Sequence, residues 1–153
     1  MVRVTGLLLV LLYHFYKTIF PGGFVGVDVF FTFSGYLITA LLIDEYSKHR
    51  KIDLLGFYRR RFYRIVPPLV LMVLMVIPFT YLVRRDYVAN IGTQIAAALG
   101  FTTNFYEIMT GGNYESQFVP HLFLQTWSLA IEMHFYLIWG WLIWFLGRRR
   151  HSL

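Results

Sequence analysis

Hydrophobic and polar residues follow one another in long blocks along this chain, which is the pattern of helices that cross a membrane. A helix needs about 20 mostly apolar residues to cross the hydrocarbon layer. Four apolar runs are long enough, or nearly so: residues 4–20, 22–43, 65–83 and 121–146. We therefore predict an all-α fold, a polytopic transmembrane helix bundle with four full spans.

A fifth segment, residues 87–109, is apolar but contains two glycines and several polar side chains. The sequence leaves two alternatives open, a full span or a re-entrant or interfacial segment. A full span would place the arginines at 148–150 outside the cell. A re-entrant segment would place them in the cytoplasm, which the positive-inside rule favours.

The connection at residues 44–64 sets the predicted orientation. It holds seven of the fourteen Lys and Arg residues against three acidic ones. The positive-inside rule makes it a cytoplasmic basic loop, which places the N-terminus in the cytoplasm and residues 21–23 in an outside turn. Pro67 and Pro68 then fit the first turn of the third span, where a missing N–H costs little.

Composition supports a multi-pass protein of the plasma membrane. Hydrophobic residues make up 58% of the chain and charged residues 14%, whereas soluble domains carry about 25% charged residues. The net charge of +6 comes from basic residues placed between apolar runs, so we expect contact with membrane lipid and no binding of nucleic acid. The absence of cysteine excludes disulfides and thiolate chemistry.

Ionisable residues inside predicted spans are costly and are therefore candidates for function. Arg3 and His14 are eleven positions apart, which places both on one helix face, about 16 Å apart along the axis. Asp28 lies six residues into the second span and His14 six before Phe20, so both are expected about 9 Å from the outside turn. A carboxylate at that depth would orient the imidazole as a general base, or the pair would simply hold two helices together.

Two further residue pairs and the histidines are candidates for chemistry. Ser128 and Glu132 are four apart and share a helix face, where they would position a hydroxyl, or Ser128 would bond its own backbone. Arg61 and Arg64 are one helical turn apart at the cytoplasmic edge, where they suit a phosphate-rich ligand or lipid headgroups. The five histidines lack the spacing of metal ligands, so no metal is expected.

Four blocks of the sequence, in order, resemble the membrane acyltransferase family called acyltransferase 3. They are Arg3 and His14 separated by ten residues, GGFVGVDVFFTFSGYLIT (22–39), FYRRRFYRIVPPL (57–69) and TWSLAIEMHFYLIW (126–139). A further segment, NFYEIMTGGNYESQFVPHLF (104–123), is most similar to the branch that O-acetylates peptidoglycan in Gram-positive bacteria.

The resemblance implies transfer of an acyl group, usually acetyl, from cytoplasmic acyl-CoA across the membrane to a carbohydrate hydroxyl outside. It assigns catalysis to His14, Asp28, Ser128 and Glu132 and acyl-CoA binding to Arg3, Arg61 and Arg64, with acetyl-CoA as donor and no metal. Family domains have about ten spans, and this branch adds an extracytoplasmic hydrolase-like domain. Residues 1–153 are therefore expected to be the N-terminal part of such a domain.

Two other readings of the sequence stay open. The chain could be a catalytically incomplete fragment that acts only as a membrane helix bundle or a partner-binding piece. It could also be a small proton or ion carrier that uses His14, Asp28 and Glu132 as a relay. A carrier would leave Arg61 and Arg64 without a purpose.

Overall fold

The computed structural model of the chain describes residues 2–16, 18–19, 22, 25–83, 90–110 and 122–149. Every regular element in these ranges is a helix, and no strand occurs among them. The helices are α1 (Val2–Phe15), α2 (Val25–His49), α3 (Leu54–Val83), α4 (Ile91–Leu99), α5 (Thr103–Thr110) and α6 (Thr126–Arg149). The predicted all-α class is thus confirmed for the described residues.

Three of these helices, α2, α3 and α6, are long and apolar enough to cross a membrane. Helix α1 has 14 residues and is about 21 Å long, shorter than a hydrocarbon layer of about 30 Å. The first predicted span, residues 4–20, is therefore only partly covered by described helix. The count of four spans stays a prediction.

The predicted basic loop at residues 44–64 is mostly helical, which corrects the sequence-based boundaries. Helix α2 continues to His49 and α3 already begins at Leu54. Arginine and lysine are good helix formers, so a change from apolar to basic residues does not end a helix. Asp53 starts α3 as an N-cap, because its Oδ1 accepts a hydrogen bond of 3.0 Å from the Gly56 N–H.

Pro67 and Pro68 lie inside α3 and not in its first turn, so that prediction is wrong. The helix starts thirteen residues before Pro67, in the segment that the hydropathy pattern assigned to a loop. Each proline lacks the N–H that would bond the carbonyl four residues earlier, at Tyr63 and Arg64. Both prolines are exposed, on the outer surface of the helix.

The segment at residues 87–109 is not one spanning helix in its described part. Helices α4 and α5 have nine and eight residues, about 14 and 12 Å, and neither could cross the hydrocarbon layer. The helical backbone is interrupted between α4 and α5. There the Gly100 N–H donates a hydrogen bond of 2.9 Å to the Ala96 carbonyl, and Phe101 takes a φ of 55°. A re-entrant or interfacial placement agrees with this but stays a prediction.

The chain divides into two compact units. The first contains α1, α2 and the end of α6 from Leu142. In it, α1 and α2 approach closely at two glycines: a Cβ atom on Gly26 would lie 2.5 Å from the Gly6 carbonyl oxygen. Backbones can come this near only where side chains are absent.

The second unit contains α3, α4, α5 and α6 up to Trp141. Its apolar core is a cluster of Leu69 and Val73 of α3, Ala98 of α4 and Phe123. Several polar side chains are buried in the same unit: Thr80, Gln94, Thr103, Glu107, Thr126 and Glu132. Buried polar groups among apolar helices require hydrogen-bond partners, so this interior is where a polar site can form.

Candidate functional site

A buried carboxylate lies at the centre of the candidate site in the second unit. Glu132 of α6 is only 9% exposed. The hydroxyl of Tyr136, one turn later on the same helix and 3% exposed, donates a hydrogen bond to its Oε1. This bond offsets part of the cost of removing the carboxylate from water.

The guanidinium of Arg61 lies against the same tyrosine. Its Cζ is 5.6 Å from the ring centroid of Tyr136 and 5.5 Å from that of Phe57, one turn earlier on α3. A cation over an aromatic face within about 6 Å is attracted by the ring quadrupole. A continuous set of contacts thus runs from Arg61 through Tyr136 to Glu132, and joins one predicted acyl-CoA-binding residue to one predicted catalytic residue.

Contacts of Tyr58 and Phe57 join α3 to α6 next to Arg61, Tyr136 and Glu132. The Tyr58 hydroxyl donates a hydrogen bond of 2.9 Å to the Leu137 carbonyl. On Gly140, a Cβ atom would lie 3.1 Å from Phe57 Cε1 and 3.2 Å from the Tyr58 hydroxyl oxygen. The glycine therefore lets the two aromatic residues of α3 reach α6, which fixes the position of Arg61 one turn further along.

Ser128 does not show the predicted contact with Glu132. Its hydroxyl donates a hydrogen bond of 3.1 Å to the Gln125 carbonyl, at the start of its own helix. This is the backbone interaction that the sequence left open as the alternative. A role for Ser128 in binding an acceptor hydroxyl stays a prediction.

Arg64 is exposed, one turn beyond Arg61 on α3. The two arginines of this pair therefore have different surroundings, since Arg61 is half-buried against aromatic rings. An exposed guanidinium can meet a phosphate directly. A half-buried one also orders the groups around it.

The remaining predicted residues belong to the first unit. Helix α1 is continuous over Arg3 and His14, but their side chains lie outside the described residues. Asp28 is exposed in the first turn of α2. Gly6 and Gly26 mark the contact between the two helices. Along α1, His14 lies about 12 Å from Gly6, and along α2, Asp28 lies about 3 Å from Gly26.

The expected equal depth of His14 and Asp28 does not follow from this packing. That expectation assumed that both helices meet at the turn of residues 21–23. Helix α1 ends at Phe15 and α2 begins at Val25, so neither helix extends to residues 21–23 as the expectation assumed. A pairing of the two side chains stays a prediction.

A second group of buried polar residues lies where α4, α5 and the start of α6 meet. The hydroxyls of Thr103 and Thr126 are 2.8 Å apart, and the Gln94 side-chain oxygen accepts the Leu122 N–H at 2.9 Å. Glu107 of α5 is also buried. Among the described residues, no group of three or more His, Asp or Glu side chains could hold a metal ion.

Sequence reasoning missed Phe57 and Tyr136. A signal was present, because Phe57 lies four residues before Arg61 and Tyr136 four after Glu132, each on the same helix face as its partner. The contact between the two pairs depends on the packing of α3 on α6. No spacing along the chain could show that.

Comparison with known proteins identifies the family. The family profile described as an acyltransferase domain, that of acyltransferase 3, matches residues 1–153. The O-acetyltransferase OatA of Staphylococcus aureus strain NCTC 8325 is 39% identical over 140 residues, which cover 92% of this chain and 23% of that protein. A second S. aureus protein, SACOL0978 of strain COL, is 38% identical over 135 residues, 88% of this chain and 22% of its own length.

No solved structure matches the chain. The chain spans about a quarter of the length of the curated relatives it matches. The match to the family profile nevertheless extends over all of it. This chain belongs to the acyltransferase 3 family.

Proposed function

We propose that the protein takes part in O-acetylation: an acetyl group passes from cytoplasmic acetyl-CoA across the membrane to a carbohydrate hydroxyl outside. The acyltransferase profile and the relatives named as O-acetyltransferases support the reaction. The observation that carries the proposal for this chain is the buried set of Arg61, Tyr136 and Glu132, a charged site inside an apolar helical unit. The proposed acceptor is cell-wall peptidoglycan.

The proposed topology is multi-pass in the plasma membrane, with a cytoplasmic N-terminus. In the first unit, the Tyr46 hydroxyl donates a hydrogen bond of 3.3 Å to the Gly147 carbonyl, so the C-terminal ends of α2 and α6 lie together. The basic residues after α2 and those at the end of α6 are therefore on the same side. The positive-inside rule makes that side the cytoplasm, which supports the re-entrant alternative for residues 87–109.

The donor is proposed to bind through its phosphates at the cytoplasmic edge. Arg64 is exposed and available for direct contact with a phosphate. Arg61 adds positive charge from a fixed position against Tyr136 and Phe57. Arg3 is proposed as the third cationic residue on the basis of the family motif. The remaining spans and an extracytoplasmic hydrolase-like domain of the whole protein are proposed partners of this part.

His14 is proposed as the general base, oriented by Asp28. It accepts the proton of the attacking hydroxyl, whose oxygen forms the new ester bond as the thioester C–S bond breaks. The imidazolium then returns the proton to the departing thiolate of CoA. A transient acyl-histidine would give the same overall balance. In either case Ser128 and Glu132 are proposed to position the acceptor.

The experiment uses membranes that contain the protein, radiolabelled acetyl-CoA and peptidoglycan fragments. Label that mild base releases from the glycan as acetate measures O-acetylation. His14→Ala is expected to abolish transfer, while His49→Ala, at the exposed end of α2, is expected to retain it. Transfer by His14→Ala at the wild-type rate would eliminate the proposed role of His14. No transfer to any glycan by the wild-type protein would eliminate the proposed function.

A second candidate is a non-catalytic part that only binds other membrane helices. The match covers 23% of the length of the O-acetyltransferase OatA, so this chain corresponds to only a part of that relative. Purified chain is mixed with labelled acetyl-CoA and the bound label is counted. Saturable binding that Arg64→Ala weakens supports the donor site, and absence of binding supports the non-catalytic candidate.

A further inference from the structure

The ends of α2 and α6 form a basic pocket in the first unit that the proposed acyl transfer does not use. It has a volume of about 210 Å³ and is lined by Arg50, Lys51 and Arg148, together with Tyr46, Ile52, Trp144 and Gly147. This lining, all of it in the described part of the chain, contains three cationic side chains and no carboxylate. Cations gathered around one cavity repel one another, and an anion between them relieves that repulsion.

The backbone holds one of these cations in an unusual conformation. Arg50 directly follows α2 with a φ of 55°, and its N–H donates a hydrogen bond of 2.8 Å to the Tyr46 carbonyl. Glycine is the usual residue in this left-handed position, because a Cβ atom is disfavoured there. Arg50 therefore takes a backbone conformation that costs free energy, at a position that lines the pocket.

Two aromatic side chains, those of Tyr46 and Trp144, belong to the lining of the basic pocket. The Arg148 Cζ lies 5.4 Å from the ring centroid of Trp144. On Gly147, a Cβ atom would lie 3.2 Å from the Tyr46 ring. Indole and phenol rings of this kind are typical of the headgroup level of a membrane.

An apolar groove adjoins the basic pocket. It measures about 170 Å³, is lined by Ile43, Ile143 and Leu146, and shares Tyr46 and Gly147 with the basic pocket. Ile43 and Leu146 are each 56% exposed, although α2 and α6 are both candidate membrane spans. The three cations and the apolar groove are therefore adjacent, with Tyr46 and Gly147 common to the linings of both.

A phospholipid likewise carries a phosphate next to apolar acyl chains. The geometry points to a binding site for one anionic glycerophospholipid, with the phosphate among Arg50, Lys51 and Arg148 and an acyl chain along Ile43 and Leu146. A soluble phosphate compound would use the basic pocket and leave the groove empty. A zwitterionic lipid would bring a cationic group of its own to a pocket that three cations line.

The experiment places the protein in vesicles that contain brominated phosphatidylglycerol or brominated phosphatidylcholine, and bromine quenching of tryptophan fluorescence reports lipid contact. The signal of Trp144 is the difference between the wild-type protein and Trp144→Phe. We expect phosphatidylglycerol to be preferred over phosphatidylcholine at Trp144. The double variant Arg50→Gln/Arg148→Gln should reduce this preference about thirtyfold, from the attraction of two basic residues to an anionic lipid.

The control variant Arg59→Gln/Arg60→Gln removes the same charge from exposed positions of α3 outside the pocket. It should leave the preference at Trp144 unchanged. Leu146→Ser should weaken contact with both lipids, because it places a hydroxyl in the groove. Equal quenching by the two lipids, or an equal effect of the two double variants, would overturn the proposal. Loss of the preference in millimolar inorganic phosphate would also overturn it, in favour of a soluble phosphate ligand.

Discussion

The hydroxyl of Tyr136 donates a hydrogen bond to the carboxylate of Glu132, one turn earlier in α6, and both side chains are almost completely buried. The same ring carries the Arg61 guanidinium on its face. Tyr136 is thus the residue through which an arginine of α3 and a carboxylate of α6 are positioned relative to one another.

Tyr136→Phe keeps the ring and removes only the donor. We expect the free energy of unfolding in detergent to fall by about 1–3 kcal/mol, because Glu132 loses its hydrogen bond in a buried environment. Acetyl transfer should fall as well. Denaturant titration followed by circular dichroism measures the change. Tyr63→Phe, at an exposed position of the neighbouring helix, is the matched control, and an equal effect of the two variants would contradict the role of Tyr136.

Arg61 and Arg64 should respond differently to replacement by lysine. Arg61→Lys keeps the charge but loses the planar group that lies against Phe57 and Tyr136, so we expect a loss of about 1 kcal/mol in stability. Arg64→Lys, at an exposed position, should change stability by less than about 0.5 kcal/mol. Equal stabilities of the two variants would show that the ring contacts of Arg61 contribute nothing.

Arg64→Ala should raise the KM for acetyl-CoA, because a guanidinium that meets a phosphate is lost. The expected rise is about tenfold, and Arg59→Ala, at another exposed position of α3, should leave the KM within twofold. Initial rates over a range of acetyl-CoA concentrations measure both values. A KM unchanged by Arg64→Ala would leave Arg64 as a residue that only attracts lipid headgroups.

Hydropathy predicted that the chain is helical and that α2, α3 and α6 are apolar enough to span, because long apolar runs are a local property of the sequence. The ends of those helices could not be predicted in the same way. A membrane helix continues into water for as long as the next residues favour helix, as at Lys48 and at Arg59 to Arg64. A run of charges therefore marks the membrane edge and not the end of the helix.

The candidate site was predictable only residue by residue. The sequence marks Arg61 and Glu132 because ionisable groups in apolar runs are costly. The sequence does not show that Tyr136 contacts both residues, because this contact depends on Gly140, which allows α3 to approach α6. The depth estimate for Asp28 assumed a tight hairpin, whereas α1 and α2 approach closely at Gly6 and Gly26, so the pairing of Asp28 with His14 stays a prediction.

Gly26→Ala tests that contact. The added Cβ atom would lie 2.5 Å from the backbone oxygen of Gly6 and 3.0 Å from Leu9 Cβ, so α1 and α2 would have to separate. We expect a loss of about 1–3 kcal/mol in stability, the usual cost of overpacking. Gly92→Ala is the control, since nothing lies within 4 Å of its Cβ position in α4. It should stabilise the protein by about 0.5–1 kcal/mol through helix propensity.

The two buried threonines that join α5 to α6 differ in their hydrogen bonding. The Thr126 hydroxyl donates its one proton to the Phe123 carbonyl at 2.7 Å. The 2.8 Å contact with Thr103 must therefore be a bond that Thr103 donates. Removal of Thr126 leaves Thr103 without its acceptor, whereas removal of Thr103 leaves the bond from Thr126 to Phe123 intact.

Thr126→Val should therefore cost about 1–3 kcal/mol of stability and Thr103→Val about 0.5–1.5 kcal/mol. The double variant should cost less than the sum, because no buried hydroxyl of the pair is then left without a partner. Chemical denaturation of the four proteins in the same detergent measures the coupling. Additive costs would contradict a direct bond between the two hydroxyls, and a larger loss for Thr103→Val would reverse the assigned donor.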